Sequence, residues 1–200
     1  MASVTQICNM SLGRLGAKRI TDYTDVTDTK PEAIQCRLYY EQTRDALLRS
    51  HWWRFARSRK VLSADAGFDD DEWDYAYNLP ADFIRFIGIW DESKSGRATT
   101  YSAVIEGTQI LSNESSMAIW YVKKITDPAK FDPLFTEVLV LQLALKMSMP
   151  LLGGATGAEK IRQSLEIELA RTMSRVRMVD KQEQNNIGRA DMETWNESRY

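Results

Sequence analysis

Residues 44–80 read RDALLRSHWWRFARSRKVLSADAGFDDDEWDYAYNLP, and the character of the chain changes repeatedly within them. A helical pattern ends near Arg49 or His51, and two tryptophans follow at once. A basic run from Arg54 to Lys60 then gives way to an acidic one from Asp69 to Asp74. From Val61 onward the apolar spacing shortens toward the two-residue period of a strand. An α+β chain that changes architecture in this stretch is the expectation.

On the N-terminal side, Val4, Ile7, Cys8, Leu12 and Leu15 recur at three- and four-residue steps, one face of a helix. Gly16 follows, a residue that tolerates the left-handed conformation at a helix end. After the loop TDYTDVTDT, Thr29-Lys30-Pro31-Glu32 fits a capping box with proline in the first turn, opening a second helix. Its expected core face is Ile34, Leu38, Tyr39, Ala46 and Leu47, with Arg37, Glu41, Arg44 and Asp45 outward.

On the C-terminal side, Tyr75-Ala76-Tyr77-Asn78-Leu79 alternates, and Phe83 to Trp90, Tyr101 to Glu106, Gln109 to Leu111 and Met117 to Val122 are short runs rich in β-branched and aromatic residues. Gly107-Thr108 is a hairpin signal between two of them. Roughly five strands forming a small antiparallel sheet, sandwich or barrel are expected. Asp132-Pro133 opens a third helix, apolar nearly all round, that Pro150 is expected to end. Glu137, Gln142 and Lys146 argue against a membrane span there. A capping box from Thr156 to Glu159 opens a fourth helix with the stripe Ile161, Leu165, Leu169, Met173 and Val176. The stretch from Asn185 to Tyr200 is polar and aperiodic, and reads as an extended tail.

The predicted fold is therefore α+β: a four-helix bundle with a small antiparallel β subdomain inserted between helices 2 and 3, and an extended C-terminal tail. Its expected segments are 1–60, first half of the bundle; 61–126, the β insertion; 127–184, second half of the bundle; and 185–200, the tail.

Two hundred residues bury a sizeable core without staples, about 70% of the unfolded surface. The two cysteines, Cys8 and Cys36, form no CxxC or cysteine–histidine cluster, so buried thiols are expected and no zinc site. No basic segment followed by an apolar run opens the chain, which points to a reducing cytosol as the place of synthesis. The net charge of −2 speaks against a generally basic nucleic-acid binder but not against a local patch.

His51 is the only histidine, with no GxSxG or comparable partner motif, so a packing role is expected. Gly153-Gly154-Ala155-Thr156-Gly157 lacks the GxxxxGK[ST] spacing and follows a helix, so it reads as an interhelical turn. Asp69, Asp70, Asp71, Glu72 and Asp74 could hold a hard cation in a nuclease or phosphohydrolase, but do not fit an EF-hand spacing. Arg44, Arg49, Arg54, Arg57, Arg59 and Lys60 interleave with Trp52, Trp53 and Phe55, the mixture used both by nucleic-acid binders and by protein interface hot spots. The acidic segment next door tips the expectation to protein contact.

Three blocks, ICNMSLGRLGAKRI (7–20), CRLYYEQTRDALLRSHWWRFARSRKVL (36–62) and WDYAYNLPADFIRFIGIW (73–90), resemble in order and spacing the tail tubular protein A family of short-tailed bacteriophages, the head-to-tail adaptors. The resemblance covers Ile7 to Trp90. It implies a structural virion protein and not an enzyme, with no catalytic residue, cofactor or metal. It further implies a homo-oligomeric ring, commonly a dodecamer, that docks under the portal protein, carries the tail nozzle protein and passes genomic DNA through its lumen during ejection. The place implied is the head–tail junction of the virion, after synthesis in the host bacterial cytoplasm, with no membrane involved. The family fold implied is a helical bundle with a β insertion between its second and third helices.

A closed ring needs two complementary, non-identical faces on each copy. Arg54, Arg57 and Arg59 on one chain, approaching Asp69, Asp70, Asp71 and Asp74 on the next, are the expected subunit contact, with Trp52 and Trp53 as packing anchors behind them. By analogy with related adaptors, Trp195, Arg199 and Tyr200 in the tail are expected to engage the portal. The alternative is a DNA-binding module that uses the Arg44–Lys60 segment.

Overall fold

Ser3 starts the first helix by accepting the Gln6 N–H on its hydroxyl at 3.1 Å. The computed structural model describes residues 3–89, 102–154 and 157–197. Helix α1 spans Val4–Leu15 and ends as its sequence demands, with Gly16 at φ +68° and its N–H returned to the last turn. Asn9 then ties down the following loop, donating to the Ile20 carbonyl at 2.9 Å and accepting the Ile20 N–H at 2.8 Å.

Helix α2 spans Pro31–Ser50. Its first residue is the proline, so Lys30 and not Thr29 flanks the helix, and Asp28 accepts the Lys30 N–H at 3.0 Å. Arg37 donates to the carbonyls of Asp25 and Asp28, each at 2.6 Å, which clamps the approach. The buried side of α2 is Ala33, Cys36, Tyr40, Thr43 and Leu47, a sequence of three- and four-residue steps. Of the expected face, Leu47 is buried, but the rest of the buried stripe is rotated away from it. Ile34 and Leu38 are 44% and 51% exposed, whereas Arg44 is buried at 3% with its guanidinium 5.9 Å over the Tyr40 ring.

The chain divides into two compact units, one made of residues 1–44 and 128–200 and the other of 45–127. In the first, α3 (Pro133–Leu152) packs against α1 and against α4 (Ala158–Glu197). Asp132 caps α3 by accepting the Leu134 and Phe135 N–H groups. The helix is apolar all round because it is a core element, with Phe135, Val138, Leu139, Leu141, Leu143 and Met147 buried. Length and composition would let α3 cross a membrane, with a mean hydropathy of 1.4, and half of that window is buried inside the fold. Pro150 does not end it. A proline in the last turn costs one hydrogen bond, and the helix continues to Leu152 with Gly153 as its cap.

In the unit 45–127, six described strands form two antiparallel sheets. These strands are β1 (Arg57–Leu62), β2 (Tyr75–Asn78), β3 (Phe83–Ile89), β4 (Ala103–Glu106), β5 (Gln109–Ser112) and β6 (Met117–Lys123). One sheet has the order β1-β6-β3 and the other β2-β5-β4. The hairpin β4–β5 turns at Gly107-Thr108, with Glu106 facing Gln109 and Gly107 at φ +55°, as the sequence signal required. Leu62, Met117, Ile119 and Tyr121 from one sheet and Tyr77 and Ile110 from the other share one core, against which Phe83, Phe86 and Ile89 pack.

These findings correct the predicted α+β architecture of a four-helix bundle with one small antiparallel subdomain between helices 2 and 3 and an extended tail. Two three-stranded sheets form in place of one small subdomain, helix accounts for about 49% and strand for about 20%, and a four-helix bundle is not shown. Two physical reasons stand out. Strand β1 starts at Arg57, inside the basic run, where charged residues hide the alternation of inward Leu62 and outward Val61. The tail is also not extended: α4 is helical through Glu197, because unbranched residues such as Glu, Gln, Arg and Met propagate a helix well without an apolar stripe. Trp90, Tyr101 and Thr156, at the ends of expected elements, lie outside the described residues.

Candidate interaction surface

Strand register decides which side chains meet on the β1-β6-β3 sheet. Arg59 stands directly opposite Trp120, Arg57 opposite Val122, and β6 is shared with β3, where Arg85 also faces Val122 and Gly88 faces Trp120. Because the pleat alternates, Met117, Ile119 and Tyr121 point to the core while Trp120 and these arginines occupy the other face.

The outer face is held together by arginine–ring contacts. The guanidinium carbons of Arg57 and Arg59 lie 5.2 and 4.8 Å from the Trp120 centroid. That of Arg85 lies 5.7 Å over Trp52. Each such contact is worth about 0.5–1 kcal/mol at a partly exposed site, and it lets like charges share a strand that they would otherwise destabilise. Arg57 contributes a further feature: its Nε is buried and makes no hydrogen bond. A buried donor left so costs about 1–3 kcal/mol unless something accepts from it.

The two tryptophans at 52 and 53 separate. Trp53 is 3% exposed, donates its indole N–H to the Leu47 carbonyl at 2.8 Å, and meets His51 edge-on at 5.1 Å, so it is a packing anchor. Trp52 is 49% exposed and belongs to the arginine surface. The end of α2 is tied to β3 by a reciprocal pair, Arg49 donating to the Ile84 carbonyl at 2.6 Å and Arg85 to the Arg49 carbonyl at 3.0 Å. Arg54 sits on a short 3₁₀ turn, Arg54–Ala56, between these tryptophans and β1.

Asp69, Asp70, Asp71 and Asp74 lie on the exposed loop that leads into β2 of the other sheet. Asp70 spends its carboxylate on the turn, accepting the N–H groups of Glu72 and Trp73 at 2.8 and 3.2 Å. The Asp74 N–H donates to the Asn113 side chain at 3.0 Å, anchoring the loop's end. Among the described residues no group of three or more His, Cys, Asp or Glu could hold a metal ion. Cys8 and Cys36 are both buried free thiols. The Cys36 thiol lies 3.8 Å from the Met147 sulfur, and its hydrogen bond to Cys8, with burial, pushes the Cys8 thiol up.

The arginines at 57 and 59 thus come together over one ring, and that ring was not among the residues singled out in the sequence. A signal for it existed. In Met117 to Val122 both alternating sets are apolar, which marks a strand covered on both faces. The position of Trp195 lies within α4, but its side chain, together with Arg199 and Tyr200, falls outside those described.

No protein-family model matches the chain, and no curated protein matches it significantly.

Proposed function

We propose that this chain is a structural subunit of a head-to-tail adaptor. Identical copies close into a ring, a dodecamer in the family it resembles, which joins the portal protein to the tail nozzle protein and continues the DNA channel. The three sequence blocks between Ile7 and Trp90 support this assignment, and one structural observation carries it furthest: a partly exposed cluster of arginine and tryptophan on one sheet face, in a chain whose net charge is −2. These residue types are enriched where proteins bind proteins.

DNA binding through Arg44–Lys60 fits the geometry less well. Arg44 and Trp53 are both buried, which breaks the segment as a continuous patch. The test is the solution mass of the purified chain, by light scattering, alone and with the portal protein of the same virus. A closed ring, or a monomer that becomes a ring on the portal, is the expected result. A monomer indifferent to portal but retained by duplex DNA in a salt-dependent manner would replace this function with the DNA-binding one.

A further inference from the structure

We infer that the outer face of the β1-β6-β3 sheet, centred on Trp120, receives the acidic loop Asp69–Asp74 of a second copy of the chain. This rests on the ring-forming function proposed above and names the contact that closes it.

The face and the loop are complementary in chemistry. The register places Arg57, Arg59 and Arg85 on one side of the sheet. The loop offers Asp69, Asp71, Glu72 and Asp74, all exposed, in addition to the turn-forming Asp70. Guanidinium groups with their planes beside an aromatic ring are preorganised to grip carboxylates through paired N–H donors.

The fringe of the face is also suited to a protein partner. Val61 and Trp52 are 59% and 49% exposed, so apolar surface lies beside the cations. The loop is ordered in advance by the Asp70 turn and the bond from Asp74 to Asn113, which reduces the entropy lost on docking. Its described hydrogen bonds go to its own backbone and to Asn113, and not to the arginines. Face and loop are different surfaces, so their pairing is head-to-tail and propagates from copy to copy until rotation closes it.

Charge exchange between two variants tests this. In R59E and R57E/R59E the face is reversed; in D69K/D71K the loop is reversed while Asp70 keeps its turn. Sedimentation velocity on the full-length chain, alone and with the portal protein, reads assembly, and circular dichroism checks folding. R59E, confined to an exposed side chain, is the variant that stays interpretable if R57E/R59E unfolds. Each reversal is expected to weaken self-association about tenfold or more, the scale of losing a close charge pair. Mixing face-reversed and loop-reversed chains one to one should restore assembly, because every junction in an alternating ring is then complementary. If wild type assembles and folded R59E and D69K/D71K assemble equally well, the contact is elsewhere and this inference alone is overturned. If wild type stays monomeric even with the portal protein, the ring itself is overturned. Duplex DNA retained by wild type and released by R59E would assign the face to nucleic acid instead.

Discussion

Arg59 and Trp120 are direct cross-strand partners, and the guanidinium carbon of the first lies 4.8 Å from the ring centroid of the second. Arg57 reaches the same ring from the next outward position on β1, at 5.2 Å. Trp120 thus sits on the central strand of its sheet, and its ring attracts both cations, which offsets part of their mutual repulsion. Trp120→Ala removes both cation–π contacts and the ring area buried with them. A loss of about 3 kcal/mol is expected, read as a lower urea midpoint at unchanged slope. Trp120→Phe, which keeps a ring, should lose less than half of that. Equal losses would mean that a phenyl ring rescues nothing, and that the cation–π contacts do not account for the stabilisation.

How much of the fold was legible depends on whether one period dominated each segment. In α1 the sequence pattern and both helix ends agree with the structure, because Ile7, Cys8, Leu12 and Leu15 form one stripe that the single exposed Met10 does not rival. In α2 two apolar faces compete. Ile34 and Leu38 formed the more hydrophobic choice, but Cys36, Tyr40 and Thr43 are the ones buried, since packing against the rest of the helical unit decides and intrinsic pattern does not. The arginine surface was half legible: Arg57, Arg59 and Trp52 stood out in sequence, while Trp120 and Arg85 came to them only through strand register, which long-range pairing sets.

The phase of α2 is directly testable. Leu38→Gln should change stability by no more than about 0.5 kcal/mol, because the side chain is half exposed. Tyr40→Ala should cost about 3 kcal/mol or more. Tyr40→Phe separates hydroxyl from ring. The hydroxyl is buried without a hydrogen bond, so its removal should leave stability equal or slightly higher. Denaturant unfolding of the three variants checks the set, and a destabilising Leu38→Gln beside a neutral Tyr40→Ala would restore the opposite face.

Alkaline pH should unfold this protein through its tyrosines. Burial, the main cause, raises the phenol groups of Tyr23, Tyr40, Tyr77 and Tyr121; the Asp82 carboxylate, accepting from the Tyr121 hydroxyl at 3.0 Å, raises Tyr121 further. In the unfolded chain these groups titrate near pH ~10. The folded values lie above the unfolded ones, so the stabilisation is complete below pH ~10 and is lost as pH climbs through the raised values. Tyrosinate absorbance should therefore rise in two phases: an early one from exposed tyrosines, then a cooperative one coincident with loss of circular dichroism. A single phase with an ordinary midpoint would contradict the burial of these rings.

The last stretch of α4 can be separated from the fold by geometry. Arg162 meets Met149 at 3.9 Å and Arg175 meets Glu137 at 2.7 Å, so α3 and α4 run antiparallel with a steady pairing. Val176 is buried at the same level as Arg175, and α3 begins at Pro133. By that pairing, residues of α4 beyond about 180 run past the start of α3, a further ~25 Å of helix. Deleting residues 185–200 should then leave the thermal midpoint unchanged. If Trp195, Arg199 and Tyr200 engage the portal, as the analogy with related adaptors implies, the same deletion abolishes co-sedimentation with the portal protein. Intact portal binding by the truncated, folded chain would remove these three residues from the contact and leave it to the rest of the molecule.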